Sequence, residues 1–349
     1  MRRPRQTWCH RRSQSNALCT AERRLHCCVV PHHRGCHCRQ ARRKLTNARR
    51  RHGGLLVPTP ISQKFSFKMI ALATAQLARG LDHDLDILSE ALDAIGQPWQ
   101  IVDWDDASVD WSTFSIVVLR STWDYYKRLD EFTRWINATA QVTQLYNPAE
   151  IVHWNLDKQY LAQLIAAGIP VMSTTFINSV SDIDEQQLQH DIIVKPTVSA
   201  GSNNTARHRS EPAAARQHIE KILASGTSVL LQPYQPSIDV NGETSLVYLG
   251  GLFSHAFRKG PIFRGTEQTH NGAFIDEEIS ARTATPAELV LGNQVLAFLA
   301  QRFTDQPLYA RIDMVTNESG VPEIMEIELT EPSLYLHLDA EAPNRAASV

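Results

Sequence analysis

The chain has 349 residues and a formal net charge of −2 at pH 7, but that near-neutral total averages two unlike pieces. Residues 1–68 hold 17 of the 35 Lys and Arg, a single acid (Glu22) and all six cysteines, which leaves 18 basic against 36 acidic side chains in residues 69–349. The acidic, cysteine-free body excludes disulfides and a thiol nucleophile, argues against nucleic acid as main partner, and contains no apolar run of the roughly 18 residues that a membrane span needs.

Residues 1–68 show no sustained period of 2 or 3.6 and too little apolar content to bury a core. A metal site built from Cys27, Cys28, Cys36 and Cys38, an Arg-rich transit segment and a nucleic-acid-binding arm are competing readings. The cysteine spacing matches neither CxxC…CxxC nor CxxC…HxxxH. The reading adopted is a disordered or non-native leader upstream of a true start at Met69. No apolar signal-peptide core precedes that residue, so a cytoplasmic protein is expected.

From Met69 onward, strand and helix signals alternate. MIALAT is a short apolar strand, and LDILSEALDAIG carries apolar residues at helical spacing up to Gly96. WQIVDW and FSIVVLRST read as two further strands, and LDEFTRWINATA as an amphipathic helix with acids in its first turn. This βαβ rhythm predicts a small parallel-sheet domain over 69–150.

A second unit, 151–349, opens with a helix capped by Asn155 or Asp157 and running to Gly168, then a strand in IPVMSTTF. DIIVKPTVSAGSNNT is a buried strand leading into a small-residue loop. A helix over 212–224 follows, then a strand in SVLLQPY and a hairpin turning at Gly250-Gly251. PAELVLGNQVLAFLAQRF is a helix, and a last hairpin pairs YARIDMV with EIMEIEL. The fold class is therefore α/β followed by α+β.

That last hairpin places carboxylates among core residues. Strand alternation puts Arg311 and Asp313 on one face, and Glu326 and Glu328 on one face of the return strand. A turn centred between Ser319 and Gly320 sets Asp313 opposite Glu326 and Arg311 opposite Glu328, with Ile312, Met314, Met325, Ile327 and Leu329 on the core face. Opposed like charges are destabilising, and a buried carboxylate pair needs either a proton or a cation. Oxygen ligands converging from two strands suit Mg²⁺, with Mn²⁺ as a substitute; a solvated acidic face is the alternative. Lys195 ends an apolar strand beside the loop PTVSAGSNN, and Lys158 lies in a helix's first turn, where the dipole offers an ammonium nothing. A phosphate partner accounts for both positions.

Taken in order, DK (157–158), IIVKPTVSAGSNNT (192–205), VLLQPY (229–234), NGETSLV (241–247), SHAFRK (254–259) and ARIDMV…EIMEIELTEPSLYL resemble the ATP-grasp superfamily of carboxylate–amine ligases. Within it, LRSTWDYY, VKPTVSAGS, GETSLVYLGGLFSHAFRK and MEIELTEPSLYL look most like the group holding glutathione-synthetase-like proteins and the cyclo-ligase of cycloserine biosynthesis, which acts on O-ureido-serine.

The resemblance implies a pre-ATP-grasp domain and two α+β subdomains gripping ATP. It implies that Lys158 and Lys195 bind phosphates beneath a mobile loop containing Ser199 and Gly201. Gln232 and Tyr234 would receive adenine, Glu243 the ribose, and Lys259 phosphate. Asp313, Glu326 and Glu328 would hold Mg²⁺, and Arg311 would stabilise the transferring phosphoryl. Arg258 is a candidate for phosphate or the substrate carboxylate. Arg120 and Asp124, after the strand IVVL, are candidates for the acceptor substrate. Many relatives have Asn where this chain has Glu328, and TEPSLYL lacks the glycine of peptide-forming relatives. The implied reaction is ATP-dependent C–N bond formation through an acylphosphate, on a small carboxylate or amine substrate, without nucleic acid or membrane; a homodimer is compatible with it. Competing functions are a glutathione-synthetase-like or glutamate-adding peptide ligase and a non-catalytic ATP-binding protein.

Overall fold

The computed structural model describes residues 69–263, 269–270 and 278–349, so the readings of residues 1–68 lie outside the described residues. The first sheet comes from β1 (Ile70–Thr74), β2 (Trp99–Asp103), β3 (Ile116–Leu119) and β4 (Gln144–Tyr146), all parallel in the order β2-β1-β3-β4. α1 (His83–Ala94) and α2 (Leu129–Val142) cover its faces. Asp82 caps α1 by accepting from Asp84 N, and Gly96 ends the turn at φ +72°, a backbone conformation that costs glycine little. On the α2 side, Trp104, Phe132, Ile136 and Val117 form one core. On the α1 side, Leu72, Leu85, Leu88 and Leu92 pack onto Val247 and Phe257 from a later sheet.

The helix expected from Asn155 or Asp157 to Gly168 starts later, as α4 (Tyr160–Ala166), and a separate short helix, α3 (Ala149–Asn155), precedes it across a break. Asp157 accepts from Gln159 N in the break, while Asn155 spends its amide elsewhere, donating to Ile327 O and accepting from Leu329 N. Lys158 therefore lies in a turn rather than in the first turn of a helix. β5 (Thr175–Ile177), β6 (Asp191–Pro196), β7 (Thr205–Arg209) and β8 (Val229–Pro233) form an antiparallel sheet backed by α5 (Pro212–Ala224). Ile219 and Ile222 fill the space against Ile192, Val194 and Leu231.

After the short α6 (Ser237–Asn241), β9 (Glu243–Leu249) and β10 (Leu252–Lys259) form the expected hairpin, with Gly250 and Gly251 at φ +55° and +77°. β11 (Thr269–His270) adds an edge beside β7. β12 (Ile279–Arg282), β13 (Tyr309–Thr316) and β14 (Pro322–Glu328) complete a third sheet in the order β12-β10-β9-β13-β14, packed on α7 (Pro286–Arg302); α8 (Ala342–Ser348) follows. Thr285 and Glu288 close a capping box at the start of α7. The buried Glu288 also accepts from Thr244 and Arg282, which accounts for an acid in the core. Among the described residues, no helix is long and apolar enough to cross a membrane.

The last hairpin holds the expected register at its working end: Arg311 pairs with Glu328 and Asp313 with Glu326. Beyond Asp313 the register shifts, so Met314 pairs with Ile324. This bulge corrects the expected core set. Ile324 takes the buried place, and the extra residue Met325 turns toward a cavity.

Candidate active site

One cavity lies between the sheet of β6 and β8 and the sheet of β9, β10, β13 and β14. Lys195 enters from the end of β6, and Gln232 and Tyr234 from β8 and its exit, where Ile193 and Gln232 are register partners. Gln232 donates to Thr174 Oγ1 at 2.9 Å, and the Arg207 guanidinium covers the Tyr234 ring. Lys158 arrives from the α3–α4 turn. Its backbone N–H bonds Thr197 O at 2.9 Å and its ammonium donates to Ser199 O at 3.0 Å, tying that turn to the small-residue loop.

From the other sheet, Glu243 and Lys259 are cross-strand partners whose side chains meet at 3.2 Å, and Lys259 also reaches Asp313 at 3.3 Å. Arg311 contacts Asp313 at 2.9 Å, pairs with Glu328, and donates to Ser333 O at 3.0 Å. Glu326 meets Lys158 at 3.1 Å and Lys195 at 3.9 Å. The carboxylates are thus interleaved with cations, and among the described residues no three His, Cys, Asp or Glu side chains gather into a ready ion cage.

Burial opposes ionisation of Asp313, yet Arg311 and Lys259 hold its carboxyl well below the ordinary range. Glu326, equally desolvated, is lowered by Lys158 and Lys195. Glu328 behaves oppositely: burial, with Asp313 and Glu326 nearby, pushes it up to about 7 despite Arg311. Glu331 is raised to about 8 by burial and by Glu328, and makes no ion pair among the described residues. Burial lowers Lys195, which Glu326 offsets only in part, whereas at Lys158 burial is outweighed by Glu326 together with Glu328 and Glu331, and the ammonium is raised. The site interleaves both charges, and burial leaves Glu328 and Glu331 the carboxyls that hold a proton most readily.

Every residue expected to contact nucleotide lines this cavity: Lys158, Lys195, Ser199, Gly201, Gln232, Tyr234, Glu243 and Lys259. Arg311, Glu326 and Glu328 line it too, and Asp313 lies just beneath, 1% exposed. The three substrate candidates do not. Arg120 is buried behind the site, 3.6 Å from Asp84; Asp124 binds Trp104 Nε1 and Arg128; Arg258 donates to Asn241 O and faces Glu278. Each has a protein partner of its own away from the cavity lining. Trp123, Tyr125, Ser333 and Tyr335 line the cavity instead.

Several site-building residues carry no sequence signal. Asn147 bridges Tyr309 O, Leu329 O and Leu308 N; Tyr160 Oη bonds the backbone of Ile327; Tyr309 Oη donates to Leu119 O and Thr330 O. Their partners are roughly 20 to 190 residues distant in sequence.

A family model described as the N-terminal domain of D-cycloserine synthetase DcsG matches residues 70–147. The cycloserine biosynthesis protein DcsG of Streptomyces lavendulae is 34% identical over 289 residues, covering 80% of this chain and 96% of that protein. The crystal structure of D-cycloserine synthetase DcsG superposes with a TM-score of 0.74 at 33% identity, over 80% of this chain and 97% of that one. A RimK domain ATP-grasp protein from Sphaerobacter thermophilus shares the fold at 17% identity, with a TM-score of 0.56 over 80% and 98% of the two chains. The chain belongs to the DcsG family of ATP-grasp ligases.

Proposed function

We propose that the chain uses Mg·ATP to join a carboxylate to a nitrogen through an acylphosphate, on a small amino-acid-like substrate, in a cycloserine-type ring closure. In this reading residues 69–150 and 151–349 are separate domains of a cytoplasmic enzyme. The observation that carries the reading is the convergence of Lys158 and Lys195 on Glu326, beside the Arg311–Asp313–Glu328 cluster, in one cavity. Two buried ammoniums beside a small-residue loop suit phosphate oxygens. Glu326 is their shared counter-charge in this structure.

The two lysines and the loop carrying Ser199 and Gly201 hold the α- and β-phosphates, Gln232 and Tyr234 flank the adenine, and Glu243 accepts from ribose hydroxyls. Asp313, Glu326 and Glu328 would supply oxygen donors to a hard divalent ion once nucleotide draws Lys158, Lys195 and Lys259 away from Glu326 and Asp313. That ion would neutralise the β- and γ-phosphate charge. The substrate carboxylate attacks the γ-phosphorus and ADP leaves. A nitrogen lone pair then attacks the acyl carbon, the C–O bond to phosphate breaks with its electron pair, and the nitrogen loses a proton. Arg311 stabilises charge on the transferring phosphoryl and on the tetrahedral intermediate. Glu331, outside the ion pairs, is placed to accept hydrogen bonds from the substrate nitrogen.

The test is ADP release with Mg²⁺ against a panel of α-amino acids including O-ureido-serine, with products identified by mass spectrometry. A ring-closed product with stoichiometric ADP is expected. Dipeptides from ordinary amino acids would point to a peptide ligase, and no ADP release with any acceptor would overturn the reading.

A further inference from the structure

Asp84 is buried in the first turn of α1, remote in sequence from every residue assigned a chemical role. Its carboxylate accepts three successive backbone N–H groups from across the molecule: Leu334 at 2.6 Å and Tyr335 at 2.9 Å on Oδ2, and Leu336 at 2.8 Å on Oδ1. Arg120, 2% exposed, backs the same carboxylate at 3.6 Å. Consecutive amides curled onto one anion form a nest, and nests need unusual backbone angles. Tyr335 supplies them at φ +50° and ψ +50°, a left-handed conformation that a tyrosine keeps only when its surroundings over-determine it.

The residues so fixed reach the chemistry directly. Ser333, immediately before the nest, gives its carbonyl to Arg311 Nη1 at 3.0 Å, and Ser333 and Tyr335 line the cavity. From the other side His255 Nε2 donates to Leu334 O at 2.8 Å. Arg311 is therefore aimed by two carboxylates and one carbonyl, and the position of that carbonyl depends on an acid in the parallel-sheet unit.

We propose that Asp84 is a positioning residue for the ligase reaction: by latching Leu334–Leu336 it fixes the Ser333 carbonyl that orients Arg311. This rests on the role given to Arg311 above. Asp84→Asn keeps the shape and one acceptor oxygen but turns an NH₂ group toward at least one N–H donor, so the latch opens while the nucleotide residues stay in place. Three measurements are made on the full chain: hydrogen exchange of the 334–336 amides, calorimetric affinity for Mg·ATP, and acceptor-dependent ADP release. In Asp84→Asn the amides lose protection, ATP affinity changes by less than about twofold, and kcat falls about 100-fold, the scale for misplacing a catalytic group by an ångström. His255→Phe frees Leu334 O without touching Asp84 and lowers kcat in the same pattern by a smaller factor, which keeps the test open should Asp84→Asn fail to fold. Retained amide protection, a kcat within twofold of wild type, or parallel losses of ATP affinity and kcat in both variants would each overturn the proposal. If the wild-type chain releases no ADP with any acceptor, the ligase reading fails, while amide exchange still decides whether the latch exists.

Discussion

Lys158 and Glu326 come from opposite sides of the cavity and meet at 3.1 Å, with Lys195 3.9 Å from the second oxygen of the same carboxylate. Both lysine side chains are about nine-tenths buried, so each would be costly without a counter-charge. Glu326 supplies that counter-charge to both lysines, and under the proposed function nucleotide phosphates would compete with it for them.

Glu326→Gln separates these roles. The change leaves two buried ammoniums sharing no carboxylate, so the nucleotide-free protein loses about 3 kcal/mol of stability, the scale for breaking a buried pair. ATP restores much of that loss by supplying new counter-charge. Turnover falls at least about 100-fold through loss of a charged group at the reacting phosphates. Thermal melts with and without ATP, together with ADP release, check both halves.

Lys195→Met removes the more distant of the two ammoniums on Glu326, at 3.9 Å against 3.1 Å for Lys158, so Glu326 keeps its nearer counter-charge. ATP affinity is expected to fall about 10- to 100-fold, the value of a hydrogen bond to a charged group, with little change in melting temperature of the nucleotide-free protein. Calorimetric titration of ATP into the variant measures it.

Stability should decline below neutral pH through a histidine pair beside the small-residue loop. His208 Nε2 and His218 Nδ1 lie 3.1 Å apart, His218 Nε2 reaches Asn204, and Lys221 and Glu211 are the nearby charges. Burial, aided by His208, lowers the His218 pKa to about 4. The unfolded chain takes up this proton near the ordinary value, about 6.5. The stabilisation is therefore complete above about 6.5 and is lost as pH falls toward 4. Melting temperature against pH should show this slope, reduced in His218→Gln.

Gly292 of α7 is a packing requirement. A Cβ there would stand 2.3 Å from Tyr248 Oη and 2.9 Å from Leu246 Cδ1 on β9. Gly292→Ala gains helix propensity of about 1 kcal/mol but incurs overpacking of about 1–3 kcal/mol, so net destabilisation is expected, read by urea unfolding.

Much of this site is legible in the sequence because it obeys period-two alternation. The expected opposition of Asp313 to Glu326 and of Arg311 to Glu328 is kept, but the structure reaches it through a turn centred one half-residue earlier and a compensating bulge at Met325. The same rule misplaces Met325, because a bulge changes parity by one residue and leaves no compositional mark. Lys158 shows a related limit: Asn155 reads as a helix cap, but its amide is claimed by Ile327 and Leu329, 172 and 174 residues away. Arg120 and Asp124 read as ligand groups at a strand end, while the structure gives them protein partners in Asp84 and Trp104, and no local pattern reveals that Asp84 binds Leu334 at 250 residues' distance. Local periodicity finds the strands and their faces; long-range polar contacts decide which side chains stay available.

The central claim is that these interleaved charges form a Mg·ATP site, and calorimetric titration of ATP into the full chain with and without Mg²⁺ tests it most directly. The account predicts saturable one-to-one binding that weakens at least about tenfold when Mg²⁺ is withheld and is abolished in Lys158→Met/Lys195→Met. Binding indifferent to Mg²⁺, or surviving loss of both lysines, would contradict it.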